Sequence, residues 1–322
     1  MRHITTLLLA ALLPQLAFSA ILRVNNSGVP APYTSLSAAV NAAQPGDTIH
    51  VEASPNNYGA HNLNKAVTII GPGYFLGANA QTQANLGSAM FQWISPSGGS
   101  EGAVVMGLVF TTTTSISRSN VRYERCRFQA NVNFYGSTPL SNVQLVGCYV
   151  QGDLTVQSGS ANITNATVAN NIFLGKLLPS AYFSGEFAHN TVVNADEAPA
   201  FTLNNMIVRN NIFDCAVAAG NNVYMHNLFR TAPVPADNGN QVNVAMAGMF
   251  AGGTVDHQWQ LAPGAPAIGA GDNGADCGAF GGNAPYRLSG VPSIPSIFGL
   301  TAPHTIALGE ELPVTMSARS NE

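Results

Sequence analysis

Charge is what this sequence has least of. Asp, Glu, Lys and Arg make up 9% of its 322 residues, against about 25% in an ordinary globular domain. Only Lys65 and Lys176 are lysines. A chain this poor in cations cannot build the dense basic face that nucleic acid or an anionic membrane requires, so neither is expected as a partner. Cysteine is scarce too: Cys126, Cys148, Cys215 and Cys277 are too few and too scattered for a disulfide framework or a CxxC metal site. A disulfide and a buried free thiol both stay open for each of them. After the N-terminus no run is long and apolar enough to cross a bilayer.

The N-terminus itself reads as a secretory signal over residues 1–20. Arg2 and His3 precede the apolar run LLLAALL at 7–13, and AFSA at 17–20 supplies small residues for cleavage after Ser19 or Ala20. Pro14 and Gln15 interrupt the run too early for a membrane anchor. Loss of Arg2 with the signal takes the formal net charge from −4 to −5. The mature chain is therefore expected outside the cytoplasm, secreted or at the cell surface, with no transmembrane segment.

Self-similarity carries the fold. Six segments align without gaps: NVRYERCRF (120–128), NVQLVGCYV (142–150), NATVANNIF (165–173), SGEFAHNTV (184–192), NMIVRNNIF (205–213) and NNVYMHNLF (221–229). A period near 20 residues marks a solenoid. The fourth position is always apolar (Tyr123, Leu145, Val168, Phe187, Val208, Tyr224), as is the ninth (Phe128, Val150, Phe173, Val192, Phe213, Phe229). The seventh is Cys126, Cys148, Asn171, Asn190, Asn211 and Asn227. Each segment predicts a strand, a bend at the Asn or Cys, and the start of a second strand. Stacking equivalent positions about 4.8 Å apart would bury the anchors in continuous ladders, with the asparagines hydrogen-bonding along the stack. Weaker rungs are visible at VTIIGPGY (67–74) and VVMGLVF (104–110).

One α-helix is predicted at 35–43, ended by Pro45 and Gly46, with Leu36, Ala39, Val40 and Ala43 on one face. Placed before a first strand at 47–51, it would cover the open end of the solenoid. The stretch 33–51, the second rung at 69–74, and LAPGAPAIGAG (261–271) with DCGAFGG (276–282) together resemble the right-handed parallel β-helix proteins of the pectate-lyase-like superfamily, of the secreted bacterial kind. The resemblance spans residues 31–282. It implies an all-β, single-stranded right-handed parallel β-helix over residues 21–284 with a short N-terminal capping helix, and it makes 261–282 a closing rung. Residues 285–322 read as an extended Pro- and Ser-containing tail in which EELPVTM (310–316) could add one strand.

Fold does not settle activity, since this superfamily includes lyases, hydrolases and adhesins. Its hydrolases carry Asn-Thr-Asp, Asp-Asp, Gly-His-Gly and Arg-Ile-Lys sets, none of which occurs here. A lyase needs a uronate neutralised, often by Ca²⁺, and a base to remove the neighbouring proton. The outward third positions Arg122, Gln144, Thr167, Glu186, Ile207 and Val223 do not accumulate acids. The best catalytic cluster is Glu186 and His189 on one rung, Asp196 and Glu197 in the next turn and Arg209 on the following rung. A solvated turn with a surface ion pair is the favoured reading of it. Arg118, Arg122, Arg125 and Arg127 beside Glu124 suggest a docking patch for acidic glycans, and Trp259 could stack on a sugar face. Self-neutralised arginines and a core-capping Trp are preferred. Asp272 and Asp276 have oxygens suited to Ca²⁺, but the ligand series is incomplete, so a structural turn is preferred and no cofactor is expected. Sequons at Asn25, Asn162 and Asn165 read as chance matches in an Asn-rich chain.

The sequence therefore leads to a non-catalytic extracellular β-helix, a cell-envelope scaffold or glycan-binding module whose partners are polysaccharide or envelope components. The alternative is a polysaccharide lyase or other enzyme acting on acidic polysaccharide.

Overall fold

A computed structural model describes residues 19–136, 138–156, 162–178, 183–194, 200–202 and 204–321. Residues 1–18, and with them most of the expected signal, lie outside the described residues, as do Asp196 and Glu197. No helix among the described residues is long and apolar enough to cross a membrane.

The chain coils into a parallel β-solenoid of about seven turns. The first sheet stacks Ile21–Val24, Thr48–Val51, Thr68–Ile70, Val104–Met106, Arg122–Glu124, Gln144–Val146, Ile163–Ala169, Phe183–Ala188, Met206–Arg209 and Val223–Met225 in that order. A second sheet runs from Met90–Phe91 to Leu228–Phe229, and a third from Thr114–Ile116 to Leu177–Leu178. The repeat alignment coincides with the strand register. Tyr123 pairs with Leu145, Leu145 with Val168, Val168 with Phe187, Phe187 with Val208 and Val208 with Tyr224. The ninth positions pair likewise from Phe128 to Phe229. All of these anchors are buried. Their rings stack along the axis: Phe213 and Phe229 lie 5.0 Å apart at 4° and Phe110 and Phe128 5.0 Å apart at 25°. Offset stacking adds to the area each ring removes from water.

The bend falls one residue earlier than the repeat suggested. The sixth position, not the seventh, takes the left-handed conformation, at Gly107, Arg125, Gly147, Asn170, His189, Asn210 and His226, with φ between 51° and 66°. Glycine, asparagine and, less readily, histidine accept this region. Asn120, Asn142, Asn165 and Asn205 at the first position are left-handed as well. These two turns free the seventh residue to point into the core. There the backbone N–H of Cys148, Asn171, Asn190, Asn211 and Asn227 each donates to the side-chain Oδ1 of the next rung's asparagine, at 2.7–3.1 Å. The amides of Asn171, Asn190, Asn211 and Asn227 also donate up the stack to the next Oδ1 and to a carbonyl of the preceding rung. Asn240, which the repeat had not included, closes the ladder by donating to the Tyr224 carbonyl at 3.0 Å. Cys126 and Cys148 continue it at the other end, where the Cys126 N–H meets Cys148 Sγ at 3.4 Å. All four cysteines are free and buried.

The helix forms at Leu36–Ala42, with Ser35 Oγ accepting from the Ala38 N–H and Leu36, Ala39 and Val40 buried. It does not precede the first strand, because Ile21–Val24 pairs ahead of Thr48–Val51 as the terminal strand of its sheet. Residues 261–282 are not a further rung either. They begin a strap that runs back along one corner of the solenoid from the last rungs towards the first. Cys277 Sγ donates to the His226 carbonyl, Gly278 N–H to the Asn210 carbonyl and Ala279 N–H to Thr191 Oγ1. Asn170 Nδ2 then donates to the Ala279 and Gly281 carbonyls, Arg125 to the Val291 carbonyl and Tyr74 N–H to the Ser289 carbonyl. The strap has its own apolar floor of Tyr74, Val109, Tyr149, Ile172, Ala279 and Tyr286. Beyond it Ser296–Thr301 and Thr315–Arg319 pair antiparallel with each other rather than adding a strand to the solenoid.

Asn190→Ala is expected to lower the unfolding free energy by roughly 3 kcal/mol or more, since it orphans a buried N–H, an amide and a carbonyl at about 1–3 kcal/mol each. Chemical denaturation checks this, and a loss under about 0.5 kcal/mol, the usual size of a surface change, would show that the ladder is not a stabilising element.

Candidate functional site

The in-register strands bring three of the sequence-predicted catalytic residues together. Glu186 and Arg209 leave the outer face of the first sheet and form an ion pair at 2.5 Å, and His189 lies at the corner beside them. With Asn170, Asn210, Asp272, Asn273 and Asn283 they line a groove of about 510 Å³ between the sheet and the strap.

The chemistry left open in that groove is small. Asn210 Oδ1 accepts from the Asp272 N–H at 2.8 Å, which makes its Nδ2 the donor to His189 Nε2 at 3.1 Å. The imidazole proton therefore belongs on Nδ1. That atom sits beside the Asp276 carbonyl without a hydrogen bond of ordinary geometry, close enough for the carbonyl to raise the ring's proton affinity. Burial outweighs it and, helped by Arg209, holds the His189 pKa below the ordinary imidazole value. The ring is neutral at pH 7, its one lone pair accepts from Asn210, and Gly281 and Gly282 cover it so closely that a Cβ on Gly282 would lie 2.8 Å from Nε2. A general base must reach a substrate proton through a free lone pair. His189 instead packs beneath the strap at Gly281 and Gly282, while Asn170, Asn210 and Arg125 hydrogen-bond the strap from the same sixth position. The half-exposed Glu186–Arg209 pair neutralises itself and is worth at most about 1 kcal/mol.

The remaining candidates are placed apart. The arginines are paired individually, in line with the preferred self-neutralised reading rather than a docking patch, and Arg118 faces Glu101. Arg122 bonds Glu124 and Gln144 on the sheet face, Arg125 reaches Glu124 and the strap at Val291, and Arg127 lies 4.3 Å from the Phe75 ring centre and bonds Gln151. Trp259 packs edge-on to Phe250 against the strap's apolar floor. Asp276 Oδ1 accepts from the Gly269 N–H, which closes a turn, and Asp272 is exposed in the groove. Among the described residues no group of three or more His, Cys, Asp or Glu is placed to hold a metal ion.

Two features escaped sequence reading. Asp256, fully buried, accepts from Asn79 Nδ2, Tyr286 O–H and Ser289 N–H, and Tyr286 is in turn 2.8 Å from Tyr74 O–H. It pins the strap to an early rung across more than 170 residues of chain. A larger groove, about 650 Å³, lies at the N-terminal end around Arg23, His50 and Glu52. Only the alternation of ILRV and TIHV, which sends Arg23 and His50 to the same outer row, could have signalled it.

No family model, curated protein or solved structure matches this chain. Its chemistry has to be read from its own residues.

His50, His61 and His189 all have pKa values lowered chiefly by burial. The unfolded chain then takes up protons near pH 6.5 while the folded chain resists them, so stability is full above that pH and falls as pH drops through it. The melting temperature is expected to fall from pH 7.5 to 5, and to fall less in His189→Asn, which keeps a residue tolerant of the left-handed turn. Equal slopes for the two proteins would contradict the burial of a neutral His189.

Proposed function

We propose that this chain is an exported, right-handed parallel β-helix of the pectate-lyase-like type that works without catalysis, as an extracellular scaffold that holds polysaccharide. The observation that carries the reading is the state of the Glu186, His189 and Arg209 cluster. Acid and guanidinium neutralise each other, and the imidazole lone pair is committed to Asn210. Around it the surface relies on amides and hydroxyls rather than charge. Asn142 Nδ2 donates to Asn120 Oδ1 at 2.9 Å, and Asn221 Nδ2 to Asn205 Oδ1 at 3.1 Å, so exposed asparagines form an outer ladder suited to sugar hydroxyls. On this reading the strand Ile21–Val24 follows the signal directly and the helix Leu36–Ala42 shields the end of the coil.

A second reading, a lyase acting on acidic polysaccharide, draws on one fact. Glu186, His189, Arg209 and Asp272 line the same groove.

One experiment separates the two. Incubation of the purified chain with a panel of polyuronates, followed by the absorbance of unsaturated products, is expected to give no product, while affinity electrophoresis retards the chain on at least one polysaccharide. Product formation that disappears in a folded His189→Ala variant would establish the lyase instead.

A further inference from the structure

The groove at the N-terminal end is built differently from the one beside His189. Its floor is the outer face of the first two strands, where Arg23 and His50 are register partners. Glu52 is its one carboxylate. Arg23 donates to Glu52 Oε1 at 2.6 Å and Asn25 Nδ2 to Oε2 at 2.9 Å, with Asn25 itself buried. Burial alone would raise the Glu52 pKa, but the Asn25 amide and the Arg23 guanidinium hold it below the usual carboxylate range. The carboxylate is therefore an acceptor at neutral pH, fixed in place by two donors, and the floor carries no net charge.

The opposite wall supplies the complement. Gln83 is held through Nε2 to the Pro72 carbonyl at 2.6 Å, leaving Oε1 as an acceptor towards the groove's occupant. Asn85 is held through Oδ1, which accepts from the Gly87 N–H at 3.0 Å, leaving both Nδ2 hydrogens to donate. His50 makes no ring hydrogen bond among the described residues and, being neutral, offers one donor and one acceptor. Gln83 and Asn85 are each held by one hydrogen bond and keep a second polar atom unused, and both ring nitrogens of His50 are unused. Val29 and Pro55 add apolar surface at the rim.

We propose that this groove, bounded by Arg23, Asn25, His50, Glu52, Gln83 and Asn85, binds a segment of neutral glycan. The inference rests on the reading of the chain as a polysaccharide-holding scaffold and names the site and the sugar class. Free donors at Asn85 and His50 and free acceptors at Gln83 and His50 suit the hydroxyls of a sugar ring, each of which donates and accepts. A uronate or phosphate would set its charge against Glu52, with Arg23, the one Arg or Lys in the groove's lining, already paired to it. The volume falls within the range of about 300–1,000 Å³ typical of small-ligand sites. The groove's lining has a single carboxylate, Glu52, whereas glycoside hydrolysis canonically uses a pair, so it lacks the acid–base pair of a hydrolase.

The test is calorimetric titration of the full mature chain with hexasaccharides of β-1,4-glucose, β-1,4-xylose and α-1,4-galacturonate. At least one neutral hexasaccharide is expected to bind more tightly than the galacturonate. His50→Ala and Asn85→Ala should each weaken it about ten-fold or more, the scale of one lost 1.4 kcal/mol contact, with an unchanged melting temperature. Asn85 is exposed, so its variant tests the groove even if His50→Ala disturbs the sheet. Arg230→Ala, whose side chain pairs with Asp214 on a late rung away from this groove, should leave affinity unchanged. Undiminished binding by the Asn85 variant would overturn the location while sparing the glycan-holding reading. Preference for the galacturonate would overturn the sugar class, and failure to bind any polysaccharide or hexasaccharide would overturn the reading itself.

Discussion

The backbone N–H at the seventh position of each rung is the group on which the later half of this solenoid depends. It follows a left-handed residue, lies between two sheets and has no strand partner to donate to. In a dry core such a group costs about as much as a lost hydrogen bond unless something meets it. The Oδ1 of the next asparagine does so five times in succession, from Cys148 to Asn227. Because each amide is both satisfied and satisfying, the rungs cannot slip by one residue without orphaning the whole ladder. The Phe213–Phe229 stack lies within that ladder and shares its register.

The same bend explains why polar and titratable residues collect along one corner. The sixth position must accept a left-handed backbone, which selects Gly and Asn and admits His and Arg. Their side chains point out of the coil, and the strap between Gly269 and Ile297 uses them as anchors. Asn210, Asn170 and Arg125 hydrogen-bond it in order from the last rungs towards the first, and His189 packs beneath it between Asn210 and Asn170. Asp256 then locks its far end to Asn79 and, through Tyr286, to Tyr74. Residues that would suit catalysis on another scaffold are thereby committed to holding two parts of the chain together. Their lowered proton affinity follows from that burial.

On the proposed reading, recognition falls to surfaces the strap leaves uncovered. On the outer face of the first sheet, charges occur in pairs that cancel: Arg23 with Glu52, Arg122 with Glu124 and Arg209 with Glu186. A surface of this kind discriminates by hydrogen-bond geometry more than by net charge. Hydroxyl-rich ligands are proposed to bind here because of that pairing.

Much of the coil was legible before any coordinates because its physics is periodic. The apolar fourth and ninth positions and the Asn or Cys seventh position repeat from residue 120 to 229, and stacking identical rungs converts that repetition directly into strand register. The helix was legible from Ser35, its apolar face and Pro45. What lacks a period stayed hidden. The strand Ile21–Val24, the strap and the antiparallel pair at the end of the chain each occur once. The closing-rung expectation for 261–282 failed because Gly- and Ala-rich sequence suits a strap pressed against a corner as well as it suits a rung. The grouping of Glu186, His189 and Arg209 followed from rung spacing alone. Whether those groups were free to react did not, because Asn210, Gly281 and Gly282 come from other parts of the chain. The sequence by itself determined the rung, its core and its ladder, since these are local patterns summed over neighbours. Only the tertiary structure decided which polar side chains remain available, since that depends on where a distant strap comes to lie.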